Sequence, residues 1–563
     1  MKKSFFKFQK DDLIFSVCFI VALFFMIWKS PFGFGANDEA FYLSLPYRLL
    51  KGDSLLYDDL HIAQLFSFFT YPVLKIYNLF IKTNEGIILN FRYIYVFFQS
   101  LSSFLIYLKI KKTNYIGAII SSLVFMLYTP FNLMALSYNT ICLMTLTLSL
   151  IYYAFQDNSI DVFLSGLMFA AAVLCCPFLA ISYFLFSAIV FYFFFRKKKS
   201  FLFDFEKWKL FTLGIIVLAT LFIVFCLGRT TIHNIIKAIP LIIYDSSHPA
   251  KNLIEIIADY VRFTALFTHY SAICFLFYGM LLFVFLIDKK RKERTEIYFL
   301  FSVFVTILYL CHLFNVDGYI NFLMYPIGCL GFFTILLIDG EYKTKFCFCY
   351  AAAELYCFYI VSSSNTGTYA VTSASSVATV ISISSASYFI FSLQKKKDLW
   401  HKAAVLFTAL LFCLMLIFEV YSRYKDVFSR VPISSQDRYI ESGSYKGIFT
   451  DESDENMYFE ASREVEEIRR SFDQRKALFL TKKICMYIIA DDFNICAPFA
   501  WSEPKTDISE KVYILNNYYL INPSKQPDVI FVDTGFEDVA EKLSFIKDYK
   551  ISYLADGKIV YTK

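Results

Sequence analysis

Up to about residue 422 the chain alternates long apolar runs with short basic clusters, and then it changes character. A helix that crosses a bilayer needs about 20 mostly apolar residues, within a range of roughly 17 to 25. Thirteen runs approach that requirement, near 12–28, 87–108, 115–131, 137–155, 161–176, 178–195, 211–228, 262–287, 298–315, 319–338, 346–362, 372–393 and 403–421. The first follows a charged start, MKKSFFKFQKDD, with no small-residue cleavage site behind it, and reads as a retained span. The continuous run 161–195 is too long for one span and breaks at Cys175-Cys176-Pro177. Beyond 422 the pattern becomes KGIFT, a charged amphipathic stretch from Asp454, then ALFLT, ICMYIIA, ISEKVYILNNYYL, DVIFVD and FEDVAEKLSFIKDY. That alternation predicts a small α/β domain.

Basic residues fix the orientation. With the amino terminus inside, the cytoplasmic segments hold 24 Lys and Arg and the exterior loops eight, although two of those loops are the longest of the membrane part. The same count places IAQLFSFFTYPVLKIYNLF, 62–80, in the interface or as a re-entrant segment. Counting it as a span would turn every later basic cluster to the exterior. Thirteen spans leave the carboxyl terminus outside. The predicted fold is therefore a polytopic α-helical membrane protein of about 13 transmembrane helices over 1–422. Its extracytoplasmic loops cover about 29–86 and 229–261, and an extracytoplasmic α/β domain occupies 423–563. Within the second loop, IHNIIKAIPLIIY, 232–244, reads as an interfacial helix.

Composition agrees: 58% of the residues are apolar and 18% charged, against about 45–50% and 25% in soluble domains. Residues 1–422 carry 34 Lys and Arg against 24 Asp and Glu, a net +10, and residues 423–563 carry 20 against 24, a net −4. Clusters of this kind between apolar runs belong to a membrane topology and not to nucleic-acid binding. Twelve of the 14 cysteines lie in the apolar runs, where they act as small hydrophobes, and no zinc spacing appears. Cys485 and Cys496, in the tail, are either a disulfide or two buried thiols. No Gly-rich phosphate loop opens a helix of the tail, so nucleotide binding is not supported there.

The richest polar stretch is GANDEAFYLSLPYRLLKGDSLLYDDLHIAQ, 35–64, with Asp38, Glu39, Asp53, Asp58 and Asp59 beside Arg48, Lys51 and His61. Its apolar periodicity in FYLSLPYRLL marks a folded loop at the membrane surface. Arg92 lies about one turn inside the second span, where an ionisable side chain is a functional candidate by default. It either holds an anion or pairs with an acid of the first loop. Asn365, in SSSNTGTY, sits between the eleventh and twelfth spans, either binding hydroxyls or closing a tight turn. Glu354, in mid-span, requires a partner such as a Tyr hydroxyl or a basic group.

These residues resemble a family. Asp-Glu after the first span, an amphipathic first loop, about 13 spans and an exterior carboxyl-terminal domain are similar to the GT-C glycosyltransferases. NDEAFYLSLPYRLLKGDSLLYDD resembles bacterial members related to dolichyl-phosphate-mannose protein mannosyltransferases. LNFR at 89–92, SSSNTG at 362–367, SYKGIFT at 444–450 and YYLINPSKQPDVIFV at 518–532 fit the same subgroup. The resemblance implies inverting transfer of a sugar from a polyprenyl-phosphate-linked donor to a hydroxyl of a glycan or protein acceptor. Asp38 would be the general base and Glu39 would orient it or the acceptor. Substrate-binding candidates are Arg92 for the lipid phosphate, with Arg48, Lys51, Asp58, Asp59, His61 and Asn365. No cofactor is implied, and the metal assignment is none; His61 with Asp58 and Asp59 is the weak divalent-cation alternative. The competing class is a transporter or flippase for lipid-linked glycans, which predicts internal repeats and broken helices near the midplane. No clear repeat is present.

Overall fold

The computed structural model describes residues 10–35, 37–244, 251–315, 322–364, 366–393, 399–425, 431–473, 475–499, 507–554 and 556–563. Helix α1 (Lys10–Lys29) leads into α2 (Asp38–Leu50) and α3 (Ser67–Phe80), which together fill the first loop. Four apolar helices follow, α4 (Ile87–Ile110), α5 (Tyr115–Leu127), α6 (Tyr138–Ala154) and α7 (Ser159–Cys175). Next come α8 (Leu179–Phe195) and α9 (Phe205–Leu227), then α10 (Ile232–Ile243) and α11 (Leu253–Thr264) in the second loop. The bundle closes with α12 (His269–Ile287), α13 (Thr295–Asn315), α14 (Met324–Leu337), α15 (Glu341–Ser363), α16 (Thr368–Ser392) and α17 (Leu399–Lys425).

Each of the thirteen apolar runs holds a helix. Among the described residues, eight helices are long and apolar enough to cross a membrane: α1, α4, α9, α12, α13, α15, α16 and α17. The chain is a membrane protein. The run 262–287 is divided: α11 ends at Thr264, and α12 begins after Thr268, whose hydroxyl caps it by accepting from the Ser271 amide. Within 62–80 a 3₁₀ turn, 64–66, leads into the 14-residue helix α3.

Small residues let the helices approach closely. Helix α16, almost entirely buried, is lined with Ser, Ala and Thr. A Cβ on Gly331 of α14 would lie 2.1 Å from the Ser382 hydroxyl. At the α7 and α9 crossing, a Cβ on Gly166 would meet the Phe211 carbonyl at 2.0 Å, and one on Gly214 the Phe163 carbonyl at 2.3 Å. Charged groups tie the helix ends. Lys109 binds Asp161 at 2.6 Å and Lys111 binds Asp12 at 2.9 Å, so the start of α1, the end of α4 and the start of α7 share one face. Glu354 accepts from the Tyr260 hydroxyl of α11 at 3.0 Å.

The carboxyl-terminal part is a small α/β unit. A two-stranded ribbon, β1 (Arg438–Tyr439) with β2 (Phe449–Thr450), precedes α18 (Glu452–Ser471). Then come β3 (Lys476–Leu480), α19 (Met486–Ile489), β4 (Asn494–Ile495), α20 (Ile508–Ile521), β5 (Val529–Val532), α21 (Glu537–Glu541), β6 (Lys550–Tyr553) and β7 (Ile559–Thr562). Their sheet has the order β4-β3-β5-β7-β6, parallel across β4, β3 and β5 and antiparallel across β7. The segment ICMYIIA supplies the short helix α19. Cys485 and Cys496 are free thiols, both buried.

This unit closes over the first loop. Phe449 donates its amide to the Pro31 carbonyl at 2.7 Å and accepts from the Gly33 amide at 2.9 Å. The Leu60 amide donates to the Pro498 carbonyl at 2.7 Å, and the Gly86 amide to the Gly443 carbonyl at 2.8 Å. Tyr445 packs its ring 4.3 Å from that of Phe34.

Candidate functional site

Helix α2 opens with the two neighbouring carboxylates, and its geometry gives them opposite surroundings. Successive helical residues point about 100° apart. Glu39 turns inward and is 4% exposed, whereas Asp38 is half-buried at the helix start. Arg92 of α4 meets Glu39 with a two-pronged ion pair: Nε donates to Oε1 and Nη2 to Oε2, both at 2.7 Å. The other donors go to main-chain carbonyls of the turn after α1. Nη1 donates to Ser30 at 2.8 Å and Phe32 at 3.2 Å, and Nη2 to Gly33 at 2.7 Å. All five guanidinium N–H groups are thereby used. Gly35 completes the fit, because a Cβ there would stand 2.5 Å from Glu39 Oε2.

Arg92 has no donor left for a lipid phosphate; it pairs with an acid of the first loop, and it shapes the turn that leads to Asp38.

Asp38 faces a different group of residues. Its charge acts on the phenols of Tyr42, one turn along α2, and of Tyr138, at the start of α6. Burial, the Tyr138 phenol and the Asp38 carboxylate together push the Tyr42 phenol well above its ordinary pKa, so it remains a neutral hydrogen-bonding group. Glu39, Tyr42, Leu43, Thr70, Ile88, Phe91 and Met134–Leu136 line a narrow cleft beside this pair.

The other charged residues of the first loop knit it together. Arg48 donates Nε to Asp53 at 2.9 Å, Nη1 to Asp59 at 2.7 Å and Nη2 to the Asp58 carbonyl. Asp58 accepts from the Ser54 amide and hydroxyl at 2.7 and 2.6 Å, and from Asn522 of the carboxyl-terminal unit at 2.8 Å. Asp59 also accepts from the His61 amide at 2.9 Å. Asp53 is shared with Lys525 of that unit. The His61 ring packs 4.5 Å from Phe41, and its Nδ1 accepts from the Ala63 amide. The hydrogen bonds of Arg48, Asp58, Asp59 and His61 thus hold the loop together. Lys51 is exposed at the end of α2. Asn365 lies outside the described residues.

Sequence reasoning missed one constellation. Lys29, Glu419 and Arg423, at most 2% exposed, meet beneath the turn after α5. Arg423 Nη1 donates to the Thr129 carbonyl at 3.0 Å and to Asn132 Oδ1 at 2.8 Å, and Nη2 lies 3.6 Å from Glu419. Lys29 donates to the same Asn132 Oδ1. The turn needs such anchors, because Phe131 and Asn132 both have positive φ, 55° and 57°. That conformation is unfavourable for a bulky L-residue. The segment held there continues through Met134–Leu136 at the cleft to Tyr138 beside Asp38. The available signal was Glu419 inside an apolar run, four residues before Arg423.

No family model matches the sequence, and no curated protein matches it. Among solved structures the chain is similar to the oligosaccharyltransferase of Archaeoglobus fulgidus. Its apo form gives 11% identity and a TM-score of 0.46, covering 97% of this chain and 74% of that one. The form with zinc and sulfate gives 11% and 0.48 over 97% and 73%. The form tethered through a disulfide to an acceptor peptide containing the NVT sequon gives 10% and 0.42 over 98% and 74%.

Proposed function

We propose that this chain is a membrane glycosyltransferase of the GT-C type. It moves a sugar from a polyprenyl-phosphate-linked donor to an acceptor hydroxyl at the outer membrane face, with inversion. The amino terminus is cytoplasmic and the carboxyl-terminal unit extracytoplasmic. The observation that carries the reading is the division of labour between neighbouring carboxylates, with Glu39 sunk against Arg92 and Asp38 left at the helix start. Adjacent acids given opposed environments are the usual mark of separate acid-base and positioning roles.

In this reaction the acceptor oxygen forms a bond to the anomeric carbon as the bond from that carbon to the phosphate oxygen breaks. The electron pair leaves with the lipid phosphate, and the hydroxyl proton passes to Asp38. A positioned carboxylate base is worth about 10² to 10⁴ in rate. The phosphate is already a competent leaving group, so inversion requires no second carboxylate. Arg92 and Glu39 act as positioning residues: they fix the turn 30–33 and the first turn of α2. Tyr42 lines the cleft and its ring packs edge-on against that of Tyr138, with centroids 5.8 Å apart.

The test incubates purified protein with a panel of radiolabelled polyprenyl-phosphate sugars and measures released or transferred sugar. Wild type is expected to consume at least one donor, and Asp38→Asn to lose roughly 10² to 10⁴ of that rate while keeping its melting temperature. Consumption of no donor by wild type, or a wild-type rate in Asp38→Asn, overturns the reading.

A further inference from the structure

At the far end of α2 from Asp38, about 18 Å away by helix rise, lies an open cavity of about 460 Å³. Three parts of the chain build it. The first loop contributes Lys51, Asp53, Tyr57 and Asp58, the start of the second loop Arg229 to Asn234, and the carboxyl-terminal unit Lys476, Asn494 and Lys525.

Its charge is one-sided. The wall holds four cations, Lys51, Arg229, Lys476 and Lys525, and two carboxylates, Asp53 and Asp58, so four minus two leaves +2. The carboxylates are engaged: Asp53 by Arg48 and Lys525, and Asp58 by Ser54 and Asn522. Lys51, Arg229 and Lys476 form no salt bridge with a carboxylate among the described residues, although the Lys51 charge acts on Asp491. Lys476 donates only to the Ser524 carbonyl, at 3.2 Å. Arg229, which lines the cavity, spends Nη1 on the carbonyls of Leu49 and Asp53, at 2.8 and 2.9 Å, and its Nε and Nη2 make no hydrogen bond to the described residues. Its guanidinium carbon is held 4.6 and 4.8 Å from the ring centroids of Tyr71 and Phe225. A fixed guanidinium edge is matched to oxyanions. The Thr230, Thr231 and Asn234 side chains add neutral polar groups.

We propose that this cavity binds a phosphate-bearing group. A phosphate monoester carries about −1.5 to −2 at neutral pH, which matches the surplus of the wall, and a diester satisfies part of it. The group has two available sources. Arg229 follows directly on the apolar helix α9, so a lipid headgroup can reach it, and the polar mouth admits a soluble phosphorylated saccharide. The site is separate from Asp38 and does not depend on the transfer reaction.

The test titrates the full-length protein in detergent by calorimetry with dihexanoyl phosphatidic acid, glycerol 3-phosphate and glycerol. Saturable binding of either phosphate probe, and none of glycerol, supports the site. Preference for the short-chain lipid assigns the headgroup as source, and preference for glycerol 3-phosphate assigns the soluble ligand. Lys51→Gln with Lys476→Gln, which removes a single carbonyl contact, is expected to weaken binding about tenfold or more. Arg229→Gln should do the same, with melting temperature as the check on folding. Asp38→Asn should bind as wild type does. Absence of saturable phosphate binding, equal binding of glycerol, or unchanged affinity in the well-folded double variant overturns the proposal.

Discussion

Removing Arg92 tests the assignment of the buried pair. Both side chains are nearly inaccessible, 4% for Arg92 and 5% for Glu39. Arg92→Met fills similar volume but leaves the Glu39 carboxylate buried without a counter-charge and the carbonyls of Ser30, Phe32 and Gly33 without their donor. Removing one partner of a buried pair costs about 3–5 kcal/mol. Glu39→Gln leaves the guanidinium its three carbonyl acceptors, so a smaller loss is expected, about 1.5–3 kcal/mol for charge-assisted bonds. In Arg92→Met with Glu39→Gln no charge remains stranded, and the double variant should lose less than the two singles added, by about 1–3 kcal/mol. Arg92→Lys, with three donors, should fall between wild type and Met. The assay is thermal unfolding in detergent, with donor affinity and turnover measured on the same folded fraction. A positioning Arg92 predicts a lower melting temperature and lower turnover with near-normal donor affinity. Strict additivity in the cycle, or a fully stable Arg92→Met that has lost affinity for the donor phosphate, refutes the reasoning.

Gly35→Ala should cost about 1–3 kcal/mol by crowding both the carboxylate and the Cβ of Glu39; a Glu39→Ala background should relieve only the part due to the carboxylate, since the two Cβ atoms still approach to 2.9 Å, as read by melting temperature. In the carboxyl-terminal unit, hydrogen bonds from Lys558 and Lys483, outweighing burial, lower Glu460 from its ordinary 4.5 to about 2. A depressed carboxyl contributes stability that is present above pH 4.5 and lost as pH falls from there toward 2. Hydrogen exchange in α18 should accelerate across that window, and Lys558→Met should flatten the change; exchange independent of pH, once corrected for intrinsic rates, counts against it. Orientation is checked by thiol labelling in intact cells, in a background lacking the exposed Cys347 and Cys413. Glu452→Cys should label directly and Lys198→Cys only after permeabilisation, and the opposite pattern reverses the topology.

Much of the membrane part could be read from hydropathy because an apolar run of helical length has few alternatives in a bilayer. The division between α11 and α12 was hidden, since Thr268 and its capping bond interrupt the helix without interrupting the apolar run. The first loop was legible as folded and charged, and Asp38, Glu39 and Arg92 stood out by type. Their partners did not. Arg92 could equally have faced an anion or an acid, and only the approach of α2 to α4 decides between them. Arg48 and Ser54, the near partners of Asp53 and Asp58, lie within the loop itself, but Lys525 and Asn522, which also engage them, are more than 460 residues away. Periodicity describes the face of an element and carries no record of contacts across such a separation.

The backbone bonds joining Phe449 to Pro31 and Gly33 have a consequence for biogenesis. The turn carrying Asp38 takes its final shape only when a segment about 410 residues later arrives. At about 5–20 residues per second of synthesis, that interval is roughly 20 to 80 s. During it the nascent first loop has its ionic hub of Arg48, Asp53 and Asp59 but lacks its cover, and closing so distant a contact is entropically slow. A premature stop between the last membrane helix and Phe449 would therefore leave the loop without this cover. Quality control in the membrane would meet a protein whose spans are assembled and whose first loop is still waiting for the end of translation.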